Sequence, residues 1–565
     1  MRFLPFLSLL VLVRPAWGCY SVVVGKGASA DGSVIFGHDE QNWGRRVVNL
    51  RVVPRMRHGP GEVVRLLRGG VLPEVGETYS FIWSEIPGME FSDTYINEWG
   101  VAVASNYCPT REDSYEELVA RGEIVDGGIG YMLRRLVVQR ARTAREGVRL
   151  AGELIEKFGY TDSGRTLVIA DPNEAWLLSI VRGKHWVARR VPDDEVALLP
   201  NLHIICEVDL SDTNNFMGSP DIVDYAVRRG WFEPDEGRPF SFRRAYNRSD
   251  ARDPRQELGQ FLVTGRWPDP GLEGLPFSVK PARPLTVGDV VAILRDDRIS
   301  NAWTQEASVF QLRGWMPPEV GCVYWRTSGD PRTGPLVPWY LGITGTPEPY
   351  YRPAEIHEQL TLSHHFDPPP ETFRYDPDFA WWKFKRLQDI VHEDYEARIG
   401  PVRKVWEKFE EKVFAGQAEV EEEALRLFSE DPDSARAYLT RYSGSIALKA
   451  AELAGRMAEA IREGRPLDVG AEPGDGRPVS FRLLQNYPNP FNSRTTISYD
   501  LPEDSYVILE VFSLAGQLVA TLVSAHQVAG HHEVVWDCRS LSSGVYICRL
   551  KAGKFVGTRV MVLLR

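Results

Sequence analysis

Cysteine is scarce in this chain, six residues among 565, which excludes a disulfide scaffold as the source of its stability. Excess positive charge is missing too. Lys and Arg number 66 against 77 Asp and Glu, a formal net charge of −11, so there is no basic surface for nucleic acid and a polyanionic partner is not expected. Past the N-terminal segment no apolar run is long enough for a stable membrane span. HExxH and CxxC spacings are absent, His364–His365 and His531–His532 being isolated pairs, and Gly25-Lys26-Gly27 is too short to cradle a phosphate. On these grounds neither a metal nor a cofactor is expected.

What the chain does have is a cysteine directly behind an export-type segment. Arg2 gives a short positive start, Phe3 to Val13 is apolar, Pro15 breaks the run, and Ala16-Trp17-Gly18 supplies the small-x-small pattern that signal peptidases accept. Residues 1–18 therefore read as a signal peptide. Cutting after Gly18 would make Cys19 the first residue, so that its thiol and a free α-amino group share one residue. That amine has a reference pKa of about 7.7–8.0 and can take the thiol proton near neutral pH, the logic of an N-terminal nucleophile. Two plainer readings compete. Cys19 is merely where the mature chain starts, or it is a lipidated cysteine, which fits less well because Ala16 and Trp17 stand where lipoprotein signals usually carry Leu and a small residue.

Three regions follow. Residues 19 to about 350 mix short β-type runs with loops and a few helices: Cys19 to Val24 and Ser33 to Phe36 read as paired strands, Thr166–Ala170 and Ala175–Ile180 as a hairpin turning at Asp171-Pro172-Asn173, and Gly130 to Phe158 as helical by its apolar spacing. This order suggests an α+β fold rather than a parallel-sheet nucleotide fold. From Phe379 to about residue 462 the periodicity is that of an amphipathic helical appendage, with the aromatic residues around Trp381 in its core. Residues 463–478 are a linker by Gly and Pro content, and 479–565 alternate strands and turns at the spacing of a small β-sandwich. Cys108, Cys206 and Cys322 read as core residues. Cys538 and Cys548 flank a turn and could pair, free thiols being equally compatible.

The opening Cys19-Tyr-Ser-Val-Val-Val-Gly-Lys-Gly-Ala-Ser-Ala-Asp-Gly-Ser-Val-Ile-Phe-Gly37 resembles that of the cysteine dipeptidases among the N-terminal-nucleophile hydrolases, the dipeptidase A and secernin-like group. Further blocks follow in the order of that family: Asn97-Glu98-Trp99-Gly100-Val101-Ala102, Ala141 to Glu146, Ile169 to Trp176, His185 to Asp194, Thr304-Gln305-Glu306, Val337 to Tyr340 and Leu439 to Tyr442. The resemblance spans roughly residues 19 to 460. It implies a four-layer αββα fold, hydrolysis of dipeptides or short peptides through a Cys19 acyl-enzyme, and the α-amine as proton acceptor. It also implies oxyanion donors, for which Asn201 and Asn106 stand at matching positions; losing one such donor typically costs about 2.7–4 kcal/mol of barrier.

One departure stands out. Related sequences often read Gly/Ala-Arg-Asn/Thr-x-Asp after the second strand, whereas this chain reads Gly37-His38-Asp39-Glu40-Gln41, with His38 in place of the Arg and Gln41 in place of the Asp. Asp39 or Glu40 is left to supply the carboxylate, and His38 to serve as cation or donor. An amidase for non-peptide N-acyl substrates is one alternative, since the same catalytic head serves both, and this departure keeps open a second, a non-catalytic surface binding protein on a degraded hydrolase scaffold. Finally, Gln485-Asn486-Tyr487-Pro488-Asn489-Pro490-Phe491-Asn492, Val511 to Gly516, Gly530 to Trp536, Ser543 to Tyr546 and Arg559 to Arg565 resemble the immunoglobulin-like sandwich of type IX secretion sorting domains. That implies bacterial secretion machinery as a partner, passage through the periplasm, and release or attachment at the cell surface, with a passive stalk as the alternative.

Overall fold

The computed structural model describes residues 18–41, 48–86, 89, 92–234, 239–248, 252–269, 274–351, 375–467, 481–486, 489–539 and 541–564. Residues 1–17 of the expected signal, the heart of the expected linker and His364–His365 lie outside these. The chain divides into two compact units, one ending at Val469 and one beginning at Gly470.

The first unit mixes helix and sheet, an α+β arrangement. Its strands are β1 (Tyr20–Val24), β2 (Val34–Gln41), β3 (Asn49–Val53), β4 (Phe81–Glu85), β5 (Tyr95–Asn97), β6 (Ala102–Tyr107) and β7 (Arg165–Ala170). They continue with β8 (Ala175–Ile180), β9 (Trp186–Arg190), β10 (Val196–Leu199), β11 (Phe216–Gly218), β12 (Thr304–Leu312), β13 (Cys322–Ser328) and β14 (Val337–Tyr340). One six-stranded sheet runs β10-β1-β2-β12-β13-β14, and one eight-stranded sheet runs β11-β9-β8-β7-β6-β5-β4-β3.

Hydrogen bonds between side chains tie the two sheets together. Ser84 Oγ on β4 donates to Glu306 Oε2 on β12 at 2.5 Å, and Ser21 Oγ on β1 donates to Asn106 Oδ1 on β6 at 2.7 Å. Helices cover the other faces. The main ones are α1 (Met132–Arg140), α2 (Ala144–Phe158), α3 (Pro254–Thr264) and α4 (Val287–Leu294). The pair α1 and α2 packs on β5 to β8, α3 packs on β10, and α4 packs on β2 and β12. The strand β1 is therefore buried on both faces, which is why Tyr-Ser-Val-Val-Val shows no polar alternation.

The helical run expected over Gly130 to Phe158 is two helices. Asn97 Nδ2 donates to the carbonyls of Val138 and Ala141, closing α1, and Thr143 Oγ1 accepts from the Glu146 amide as the N-cap of α2. A side chain 41 residues from Val138 sets that break, so local periodicity could not display it. Further on, α5 (Ala380–Glu393), α6 (Tyr395–Glu430) and α7 (Pro432–Arg462) pack together and against β13 and β14. Two buried or half-buried ion pairs, Arg295–Glu410 at 2.6 Å and Arg313–Glu421 at 2.5 Å, fasten α6.

In the second unit β15 (Arg482–Leu483), β16 (Arg494–Leu501) and β19 (Gly530–Asp537) form one antiparallel sheet. A second contains β17 (Ser505–Ser513), β18 (Leu518–Gln527), β20 (Gly544–Ala552) and β21 (Phe555–Leu563). Ile497, Tyr499, Leu509, Val511, Trp536 and Leu550 belong to one apolar core shared by both sheets. Cys538 and Cys548 are buried in it as thiols rather than bridged. Cys108 and Cys322 are fully buried in the first unit, while Cys206 is only half-buried.

Candidate active site

A tight hairpin places the site. Asp31 Oδ1 accepts from the Ser33 amide and hydroxyl, and Gly32 takes φ +82°, a left-handed conformation that suits glycine, so the chain reverses between β1 and β2. The register pairs Tyr20 with Asp39 and Ser21 with His38, which sets Cys19 opposite Glu40. Alternation along a strand then splits the segment His38 to Gln41 between two faces.

On the face toward the eight-stranded sheet lie Cys19, Ser21, His38 and Glu40. The Cys19 thiol, 5% exposed, donates to Glu40 Oε2 at 3.2 Å, and His38 Nε2 lies 3.3 Å from the same oxygen. Burial first, then the Glu40 carboxylate, hold the thiol well above its ordinary pKa. Burial pushes His38 below its ordinary value against the pull of Asp39, Asp93 and Glu306. His38 Nδ1 lies 2.9 Å from Ser21 Oγ, which donates to Asn106 Oδ1. Asn106 Nδ2 donates to the Leu199 carbonyl at 3.0 Å. Asn106 thus holds Ser21 and β10 in the layer between the sheets.

On the face toward the helices lie Asp39 and Gln41. Asp39 accepts from the Tyr20 amide at 2.5 Å, from Gln41 Nε2 at 2.6 Å and from Ser300 Oγ at 3.0 Å. Its burial raises the carboxyl to about 6, opposed by the Gln41 hydrogen bond. Gln41 also donates to the Ile299 carbonyl at 2.8 Å and accepts from the Gly18 amide at 3.3 Å. Asp39 supports the backbone after Cys19, and Glu40 is the carboxylate that meets the sulfur.

Arg255 is the residue that sequence reasoning missed. It is 2% exposed, at the first turn of α3, where Asp253 as N-cap and Pro254 fix the helix start. Its guanidinium donates to the Gly18 carbonyl at 2.5 Å, to Asn201 Oδ1 at 2.9 Å and to Asp253 Oδ2 at 2.7 Å. Asn201 in turn donates from Nδ2 to the Tyr107 carbonyl at 3.0 Å. A Cβ on Gly18 would stand 2.1 Å from Asn201 Oδ1, and Gly18 has φ +139°, so both space and backbone call for glycine before Cys19. The Asp253-Pro254 signature marks a helix start, but no sequence signal connects it to a cysteine 236 residues away.

The arrangement brings Cys19, His38 and Glu40 together, with Arg255 and Asn201 around the Gly18–Cys19 peptide and Asp39 behind it. Read along the chain, the spacing showed no grouping of metal-ligand type. In the fold, one donor atom from each of Cys19, His38 and Glu40 lies within 4.8 Å of the others, because His38 and Glu40 share a strand face and Cys19 faces them from the neighbour. Chemically the group offers a nucleophilic sulfur, a carboxylate at its proton and a guanidinium at the adjacent carbonyls.

Comparison with known proteins gives a concordant picture. The model for Peptidase family C69 matches residues 18–298, and that for the Secretion system C-terminal sorting domain matches residues 485–563. The chain is 28% identical over 415 residues to a "Probable dipeptidase" of Latilactobacillus sakei, covering 67% of this chain and 82% of the relative. It is 27% identical over 487 residues to a "Probable dipeptidase B" of Lactococcus lactis subsp. lactis (strain IL1403), covering 79% and 96%. A "Probable dipeptidase" of Salmonella dublin is 25% identical over 386 residues, covering 63% and 87%. The sorting domain points to export or the cell surface, and no helix among the described residues is long and apolar enough to cross a membrane. The part of the chain that builds this site belongs to peptidase family C69, hydrolases of the cysteine-peptidase type, and the chain ends in a secretion sorting domain.

Proposed function

We propose that this protein is an exported dipeptidase whose catalytic unit is Cys19 with a freed α-amine. The observation that carries the reading is the placement of Cys19: a buried thiol at the head of a central strand, with Arg255 held against the carbonyls on both sides of its nitrogen, Gly18 at 2.5 Å and Cys19 at 3.4 Å. Two facing sheets with helices on their outer faces support a four-layer αββα N-terminal-nucleophile arrangement. The names of the relatives support peptide substrates. The small-x-small pattern ending at Gly18 supports removal of residues 1–18.

In the uncut chain the Cys19 nitrogen is an amide and cannot take the thiol proton, while burial and the Glu40 carboxylate favour the protonated thiol. Cutting at Gly18 leaves an ammonium or amine beside the sulfur. The amine then takes the thiol proton, and Glu40 and Asp39 stabilise the resulting positive charge. The thiolate attacks the scissile carbonyl, forming a C–S bond. The oxyanion is met, in the place the Gly18 carbonyl now occupies, by Arg255, which Asn201 Oδ1 and Asp253 hold in position. The ammonium returns its proton to the leaving amine, and water, deprotonated by the same nitrogen, releases the acyl group.

The test is a panel of dipeptides, longer peptides and N-acyl amides, assayed with the chain starting at Cys19 and with its Cys19→Ala variant. Dipeptides should be hydrolysed fastest and Cys19→Ala should be inert while melting normally. Preference for N-acyl amides would favour the amidase alternative. Hydrolysis of nothing in the panel by a folded protein would favour a binding role.

A further inference from the structure

We infer that Cys19, His38 and Glu40 form a binding site for a borderline-soft divalent cation such as Zn2+, and that the bound metal switches the nucleophile off. The site is made of one thiol, one imidazole and one carboxylate, a donor set suited to Zn2+. All three side chains are buried.

The spacing fits tetrahedral coordination. With bonds of about 2.3 Å to sulfur and about 2.0 Å to nitrogen and oxygen, tetrahedral angles put sulfur and oxygen about 3.5 Å apart and nitrogen and oxygen about 3.3 Å apart. The corresponding distances are 3.2 Å for Cys19 Sγ to Glu40 Oε2 and 3.3 Å for His38 Nε2 to Glu40 Oε2. The three ligand atoms all lie within 4.8 Å of one another, so small side-chain rotations close the set. Three protein ligands leave the fourth place to water. In the cut chain the α-amine of Cys19 can take it, since amine and thiolate on one residue close a five-membered chelate ring.

The hydrogen-bond network also prepares the imidazole for a metal. Asn106 Nδ2 donates to the Leu199 carbonyl, which turns Asn106 Oδ1 toward Ser21. The one hydroxyl proton of Ser21 goes to that oxygen, so Ser21 Oγ can only accept from His38 Nδ1. Assigned from this chain of partners, His38 Nδ1 carries a ring proton, and Nε2 is the ring atom that stands 3.3 Å from Glu40 Oε2. A metal-bound histidine typically shows this arrangement, with its other ring N–H held by a second partner.

Binding replaces the thiol proton. The S–H bond breaks, a Zn–S bond forms, and one proton passes to solvent. A sulfur lone pair held by the metal cannot attack a carbonyl, so metal binding and turnover exclude each other. This consequence rests on Cys19 being the nucleophile; the binding itself does not.

The test uses the full chain after dialysis against a chelator. Zn2+ affinity is measured by competition with a chromophoric chelator, and Co2+ is added separately as a spectroscopic probe. The expected result is one tightly held Zn2+ per chain and a thiolate-to-cobalt charge-transfer band. Cys19→Ser, His38→Gln and Glu40→Gln should each weaken Zn2+ binding on the order of a hundredfold with unchanged circular dichroism. If a variant fails to fold, the cobalt band of the unaltered chain still decides the matter. Absence of that band, or Zn2+ affinity unchanged by Cys19→Ser, overturns the inference. A chain that binds Zn2+ this way but hydrolyses no dipeptide keeps the metal site and removes the peptidase reading. A chain that hydrolyses dipeptides and shows no cobalt–thiolate band removes the metal site alone.

Discussion

Arg255 joins the Gly18 and Cys19 carbonyls, Asn201 and Asp253 in one fork. A lysine keeps the charge but cannot span them, because its ammonium is a point donor on a flexible stem. Arg255→Lys should therefore lower kcat/KM on dipeptides by about 10²–10³-fold, the scale of losing an oxyanion donor, with initial rates as the readout. His203 makes a second case. It is fully buried with Nδ1 3.0 Å from Thr166 Oγ1, and burial lowers its pKa to about 3. The folded chain keeps it neutral while the unfolded chain protonates it below about 6.5, so its contribution is present above pH 6.5 and is lost as the pH falls. Between pH 6.5 and 5 the loss is about 2 kcal/mol. His203→Asn, which retains a partner for Thr166, should flatten the fall in melting temperature over that range, as thermal melts at several pH values would reveal. At this scale Cys19 was legible as a candidate, because its position behind an export-type pattern and its neighbours in the chain single it out. Arg255 and Glu40 were not, since one reaches the sulfur's neighbourhood through the fold and the other is told from Asp39 only by strand face.

Among the elements, α3 and β1 touch at a glycine. A Cβ on Gly259 would stand 2.0 Å from Tyr20 Oη and 3.0 Å from Leu198. Gly259→Ala must push the helix outward, which should destabilise the unit by about 1–3 kcal/mol and, because α3 carries Arg255, lower activity as well. Adding Tyr20→Phe removes the nearest clashing atom and should restore part of both, measured by melting temperature and kcat. Pairings of this kind explain which elements could be read in advance. The hairpin at Asp171-Pro172-Asn173 carries its own turn residues and is present as β7 and β8. The break between α1 and α2 depends on Asn97, a residue on a different strand, and was hidden in an unbroken apolar period.

Over the whole molecule, the site and the sorting domain belong to separate compact units. A chain ending at residue 467 should fold and hydrolyse dipeptides within about twofold of the full chain, and calorimetry of the full chain should resolve two transitions. Loss of activity on truncation would give the second unit a role in catalysis. The two units meet at Val469 and Gly470, within a stretch whose Gly and Pro content stands out in the sequence, whereas the layer between the two sheets, where Glu306, Ser84 and Asn106 meet partners far along the chain, emerges only from long-range pairing.

Central to the account is that the sulfur of Cys19 works with its own nitrogen. The most direct measurement is dipeptide hydrolysis by the chain beginning at Cys19, compared with the same chain acetylated on that nitrogen. The first should turn over dipeptides, and the second should do so at a rate lower by more than about 10³-fold. Equal rates for the two would contradict it.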